Sequence, residues 1–181
     1  MEKRKFILPE KELREKILSK FNGKDGEFNI SSIQRAIAVF EIADQIQNSL
    51  SSHFARYGLT QARFIVLLTM FTGDKSNWNP LELAEIIKVK PPTMTGILDV
   101  LVRDEYVIRK SDEKDRRKIL VYLTAKGKRK IKEILPDHFN RISSSFNNLG
   151  IPKNSPKFEN TIKEIRYSLS KLLEGVNAPI R

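Results

Sequence analysis

After Tyr106 the apolar residues of this chain stop recurring at helical spacing and begin to alternate, and this change of period constrains the fold more than any other feature. Val107 and Arg109, then Ile119, Val121 and Leu123, form two strand-like runs around the charged tip Ser111-Asp112-Glu113-Lys114-Asp115-Arg116-Arg117. Two short alternating runs around a polar turn predict a β-hairpin with a basic tip.

On either side the period is helical. Asn79 followed by Pro80 is an N-cap with proline at the first helical position, opening a short helix through Leu81, Leu83, Ala84, Ile86 and Ile87. Pro91-Pro92 opens the next, where the first turn's amides have no helical acceptor to lose, and Met94, Ile97, Leu98, Leu101 and Val102 point inward. Further upstream, helices are predicted from Pro9 to Phe21, from a Ser31 or Ser32 cap to Gly58, and from a Thr60 cap to Gly73, followed by a loop to Trp78. Downstream, Thr124 can cap a helix carrying Ile131, Ile134, Leu135, Phe139, Ile142 and Phe146, which Pro136 should kink or divide. The last helix shows a heptad-like seam of Phe158, Ile162, Ile165, Leu169, Leu172 and Val176.

Composition narrows the function. The 181 residues suit one compact domain rather than two, and no apolar run is long enough to cross a bilayer. The segment after Met1-Glu2-Lys3-Arg4-Lys5 is too short an apolar stretch for a signal peptide, so a cytoplasmic location is expected. The chain has no cysteine, which excludes disulfides, thiolate zinc sites and thiol-based peroxide sensing. His53 and His138 are its only histidines, so a metal site and a cofactor are not expected. A net charge of +11 fits a polyanionic partner such as nucleic acid.

Two short helices, a tight connection and a charged hairpin are the local grammar of a winged helix-turn-helix, in which one helix enters the major groove and the hairpin follows the backbone. From Ile33 to the C-terminus the chain resembles the MarR (multiple antibiotic resistance regulator) family. Leu81 to Ile87 with Pro91 to Asp99 looks like that family's helix-turn-helix, and Asp112-Glu113-Lys114-Asp115-Arg116-Arg117 looks like its wing motif. Leu123-Thr124-Ala125-Lys126-Gly127 is similar to the Leu-Thr-x-x-Gly that leads from the wing into the dimerisation helix. The chain departs from the pattern twice: Glu105 stands where glycine usually follows the recognition helix, and Lys88-Val89-Lys90 where a Gly-x-Ser turn is usual. A residue other than glycine held at positive φ costs about 1 kcal/mol or somewhat more.

The resemblance implies a mainly α fold with a small β-hairpin wing and dimerising N- and C-terminal helices. The expected organisation is one compact domain: residues 1–58 and 125–181 serve dimerisation, and 59–124 form the DNA-binding lobe. Lys90, Pro91, Pro92, Thr93, Thr95 and Gly96 fall on the first turns of the recognition helix, where hydroxyls reach base edges, prolines offer apolar contact to thymine methyls, and Gly96 permits close approach. Lys114, Arg116, Arg117 and Lys118 of the wing are expected on phosphates or in the minor groove. Asp99, an acid on a helix facing DNA, is expected to clamp wing to helix by pairing with Arg116 or Arg117.

One such module makes few base contacts, so two are expected to read half-sites about 34 Å apart on a pseudo-palindromic operator, as a homodimeric repressor. The family binds small anionic aromatic effectors between the dimerisation helices and the lobe, for which His53, Tyr57 and Arg63 are candidates, and Trp78 a weaker one. The competing reading is a winged-helix module for protein interaction, whose basic wing meets an acidic partner. An enzyme is not expected, since no glycine-rich phosphate loop, metal set or nucleophile–base pair stands out.

Overall fold

A computed structural model describes residues 10–21, 29–113, 115–147, 149–152 and 154–174. The elements are α1 (Lys11–Phe21), α2 (Ile30–Ala55), α3 (Gln61–Thr72), β1 (Asn77–Trp78), α4 (Pro80–Ile86), α5 (Pro91–Arg103), β2 (Val107–Ser111), β3 (Ile119–Leu123), α6 (Ala125–Asn147) and α7 (Pro156–Glu174). The hairpin is present, but it is not alone. The stretch before Asn79, expected to be a loop, supplies β1, and the sheet has three antiparallel strands in the order β1-β3-β2. A two-residue strand carries no readable alternation of its own, so only its pairing with β3 reveals it.

The caps are largely those the sequence predicts, with one correction. Asn79 accepts from the Leu81 amide and Thr60 from the Arg63 amide, but α2 is capped by Asn29, whose side chain accepts from the Ser32 amide. α6 also runs through Pro136 without ending there, so of the kink or division expected at that residue, the division does not occur.

The chain divides inside α6 into two compact units, one reaching to Ile134 and the other starting at Leu135. The first has a core of Phe54, Leu67, Leu83, Met94, Leu98, Leu101, Val107, Val121, Ile131 and Ile134, each at most 1% exposed. Phe54 stacks on Phe64 at 4.4 Å between ring centres, joining α2 to α3. Met94, Leu98 and Leu101 recur at steps of four and three, so one face of α5 is fixed in this core and the opposite face must be outside. In the second unit no described residue is fully buried. Phe139, Phe146, Tyr167 and Leu172 are all more than half exposed.

Three helices of the first unit close alike. After α2, α4 and α5 one residue turns to positive φ, namely Gly58 (71°), Lys88 (55°) and Glu105 (60°). In each case the next amide reaches back to a carbonyl five residues earlier: Leu59 to Phe54, Val89 to Ala84 and Tyr106 to Leu101. This Schellman closure satisfies carbonyls that a helix end leaves open, and it needs the left-handed conformation that glycine adopts most cheaply. The two residues standing where the related pattern has glycine therefore keep glycine's geometry. Lys88 is exposed, and Lys88→Gly is expected to raise stability by about 1 kcal/mol by relieving the Cβ clash. Chemical denaturation would check this; an unchanged or lower midpoint would mean that Lys88 supplies a compensating contact.

Candidate nucleic-acid interface

The exposed face of α5 begins at Lys90, which occupies the cap position without a side-chain cap bond, ahead of Pro91 and Pro92 at the first helical positions. Lys90, Pro91, Pro92, Thr95, Gly96 and Asp99 are exposed, while Thr93 is half-buried. Thr93 is therefore the least available of the expected readers. Thr95 donates its hydroxyl to the Pro91 carbonyl at 3.2 Å, so what it offers outward are the lone pairs of an acceptor. Gly96 is open: a Cβ added there would meet nothing within 4 Å. Glycine inside a helix costs about 0.5–1 kcal/mol relative to alanine, and no crowding within the protein accounts for it here.

At the wing tip the acidic residues shape the turn. The Asp112 amide donates to the Lys118 carbonyl at 2.9 Å, and the Lys118 amide to the Asp115 carbonyl at 2.8 Å. Asp112 Oδ1 accepts from the Asp115 amide and Asp115 Oδ1 from the Arg117 amide, both at 3.2 Å. The carboxylates thus bind the tip backbone, leaving Arg116 and Arg117 exposed. Lys118 Nζ lies 3.6 Å from Asp115 Oδ2, and Lys114 is outside the described residues.

Asp99 does tie the helix to the wing, but through a different partner. Its Oδ1 accepts from Arg109 Nη1 at 2.6 Å, and Arg109 Nη2 sits 3.5 Å from the Thr95 carbonyl. The expectation of Arg116 or Arg117 is corrected for a geometric reason. Arg109 pairs in register with Val121, on the sheet face shared by Val107, whereas Arg116 and Arg117 lie beyond the strands. The alternation carries a partial signal: it sets Arg109 on the same face of β2 as Val107, two residues on, although Arg109 itself is exposed.

The base of the wing forms a second joint, of which the sequence implies only the Thr124 cap. Thr124 accepts from the Gly127 amide at 3.0 Å, capping α6, and its hydroxyl lies 2.8 Å from the Glu105 carbonyl and 3.1 Å from that of Tyr106. The Thr124 amide also donates to Tyr106 O at 3.1 Å. A Cβ at Gly127 would fall well inside van der Waals contact with the same carbonyl oxygen, so only glycine lets α6 approach the end of α5 this closely. Across the joint Lys126 Nζ donates to Glu105 Oε2 at 2.7 Å. That hydrogen bond, reinforced by the charge, holds the Glu105 carboxyl below its ordinary range and raises Lys126. The pair's contribution is therefore present above the ordinary glutamate pKa and is lost as acid protonates Glu105.

Of the candidate effector residues, the structure brings two together and adds one. His53 is half-buried, with its ring edge-on to Phe54 at 5.0 Å and to Tyr57 at 5.5 Å. Lys130 from α6, only 16% exposed in its side chain, holds its ammonium 5.5 Å from the centre of the Tyr57 ring. Among the described residues Arg63 joins this cluster through no hydrogen bond, ion pair or ring contact. Trp78 is buried against Gly73, where a Cβ would collide with the indole, so it is a core residue. No group of three or more His, Cys, Asp or Glu among the described residues could hold a metal ion, and no helix there is long and apolar enough to cross a membrane.

Comparison with known proteins places this geometry in context. The family described as "Transcriptional regulator SarA/Rot" matches residues 49–134. The chain is 34% identical over 117 residues to the HTH-type transcriptional repressor YetL of Bacillus subtilis, covering 65% of this chain and 70% of that protein. A MepR-like protein, crystallised with pseudoligands, superposes with a TM-score of 0.56 at 27% identity, over 81% of this chain and 96% of its own. AbsC, a MarR family transcriptional regulator from Streptomyces coelicolor, shares the fold with a TM-score of 0.67 over 83% of this chain and 99% of its own, at 16% identity.

Proposed function

Because the chain belongs to the MarR family of winged helix-turn-helix transcription regulators, we propose that it binds a pseudo-palindromic DNA operator as a homodimer and represses transcription there. The observation that carries this reading is the first two turns of α5. They are anchored inward by Met94 and Leu98 and present outward Lys90, Pro91, Pro92, Thr95 and a glycine with nothing above it. Arg116 and Arg117, freed by the acid-bonded tip, serve as the backbone anchors, with Lys118 beside them and Lys114, which lies outside the described residues, as a further candidate from the sequence. Repression is the role named for the YetL relative, and a DNA complex has been solved for MepR of S. aureus, a structure with the same fold.

Dimerisation is supported by what the terminal helices leave uncovered. Leu13, Ile17, Ile42 and Ile46 in α1 and α2, and Phe139, Phe146 and Leu172 in α6 and α7, are large apolar side chains more than 40% exposed. The second unit, from Leu135 on, in which no described residue is fully buried, needs a further surface to be stable. His53, Tyr57 and Lys130 are the residues on which an anionic aromatic effector would act, with the ring edges and the ammonium meeting its two parts.

The reading is tested by selecting bound duplexes from a random pool, where inverted half-sites one helical turn apart are expected and the absence of any consensus would overturn it. Gly96→Ala gives a sharper check, because its two effects have opposite signs. The substitution is expected to raise stability by about 0.5–1 kcal/mol, through helix propensity, and to weaken operator binding, through the added methyl at the base edges. Higher stability with unchanged affinity would remove Gly96 from the interface.

A further inference from the structure

We infer that the exposed face of the first two turns of α6 is a second phosphate-binding surface, which holds a further DNA duplex while α5 and the wing hold the operator. The inference rests on the DNA-binding reading above. Ala125 to Lys132 contains Lys126, Lys128, Arg129, Lys130 and Lys132, and the first turn has no acid. Two of these cations are engaged, Lys126 with Glu105 and Lys130 with Glu133 at 3.2 Å. Lys128, Arg129 and Lys132 are exposed and, among the described residues, meet no acid. At about 100° per residue these three share roughly a 100° arc opposite the stripe of Gly127, Ile131 and Ile134 that faces the core.

Lys128, at the end of the first turn, opposes the helix dipole, at about 0.3–1 kcal/mol, and Arg129 and Lys132 lie beyond the turn where the dipole acts, so the dipole gives no stabilising reason for the cluster. Nor does it lie where the operator is read. α6 starts at the base of the wing, the length of β3, about 16 Å, from the tip, and beside the C-terminal end of α5, about 20 Å from Lys90. A second copy of the chain does not fit this face either, since a two-fold contact would set three cations against three. Closely spaced, flexible cations with no aromatic or acidic neighbour on the same arc suit a regular line of phosphates rather than bases or a folded acidic surface.

The test uses a short operator duplex fixed to a surface, saturated with the full chain, and then offered a labelled duplex without the operator. The wild type is expected to retain the label at low salt. K128E/R129E/K132E is expected to keep its affinity for the fixed operator and to capture at least about tenfold less label, and loss of three contacts should reduce the salt slope for the second duplex by about 2.7 per protomer. All three positions are exposed, so this variant should fold, and K128Q/R129Q/K132Q, with an intermediate loss, controls for charge reversal and for the like-charge pairs that it creates. Equal capture by wild type and variant would overturn the inference. So would a loss of operator affinity in the same proportion, which would place these cations on the operator itself, or capture of a labelled RNA hairpin but not of DNA. If the wild type fails to bind the fixed operator in the first step, it is the DNA-binding reading that fails.

Discussion

Gly127→Ala is expected to lower the stability of the first unit by about 3 kcal/mol, the upper range for forcing a methyl into a filled space. The sign makes the result informative. Alanine inside a helix is normally worth about 0.5–1 kcal/mol over glycine, and Gly96→Ala should show that gain. At Gly127 the new Cβ meets the Tyr106 carbonyl, a backbone atom that cannot rotate away and that already accepts from Thr124. Relief requires α6 to lift from the end of α5, which breaks the Thr124 cap and exposes Ile131 and Ile134. Thermal or urea unfolding of both variants decides the matter: a Gly127→Ala chain as stable as the wild type would show that the joint yields easily.

Arg109→Ala is expected to weaken operator binding by about thirtyfold while leaving the fold almost intact. The pair with Asp99 is partly exposed, 33% and 56% for the two side chains, so it adds no more than about 1 kcal/mol to stability. Its effect on DNA is expected to be larger, because removing the guanidinium leaves the Asp99 carboxylate bare on the face proposed to meet DNA. A unit charge about 8 Å from a phosphate is worth about 0.5–2 kcal/mol at effective dielectrics of about 80 to 20, and the dimer carries it twice. Asp99→Ala should therefore cost less than Arg109→Ala, and the double variant should recover part of the loss. Fluorescence titration of the four proteins on one operator gives the cycle; a double variant as weak as Arg109→Ala alone would show that the arginine acts without the acid.

Much of this protein could be read without coordinates, and the reasons differ by element. The helices of the lobe were legible because apolar spacing, capping residues and proline at the first turn all act within a few residues of one another. Thr60, Asn79 and Pro91 each do locally what their positions imply. Gly73 is a different case: it ends α3 as expected, yet its φ of −77° needs no glycine, and it is the indole of Trp78 above it that does. Lys130 was invisible as a partner of Tyr57 because nothing in a basic helical stretch marks one lysine as covered.

The charged hairpin with which the sequence announces itself remains the feature that decides the fold. By itself the sequence determined the change of period at Tyr106, the inward face of α5, the outward placement of Lys90, Pro91, Pro92, Thr95 and Gly96 and the basic tip, because each depends on neighbours along the chain. Only the tertiary structure decided that Asp99 meets Arg109, that β1 completes the sheet, and that Gly127 is required by the Tyr106 carbonyl. Those contacts join residues from separate elements, and their geometry is set by how the elements pack, which local periodicity does not encode.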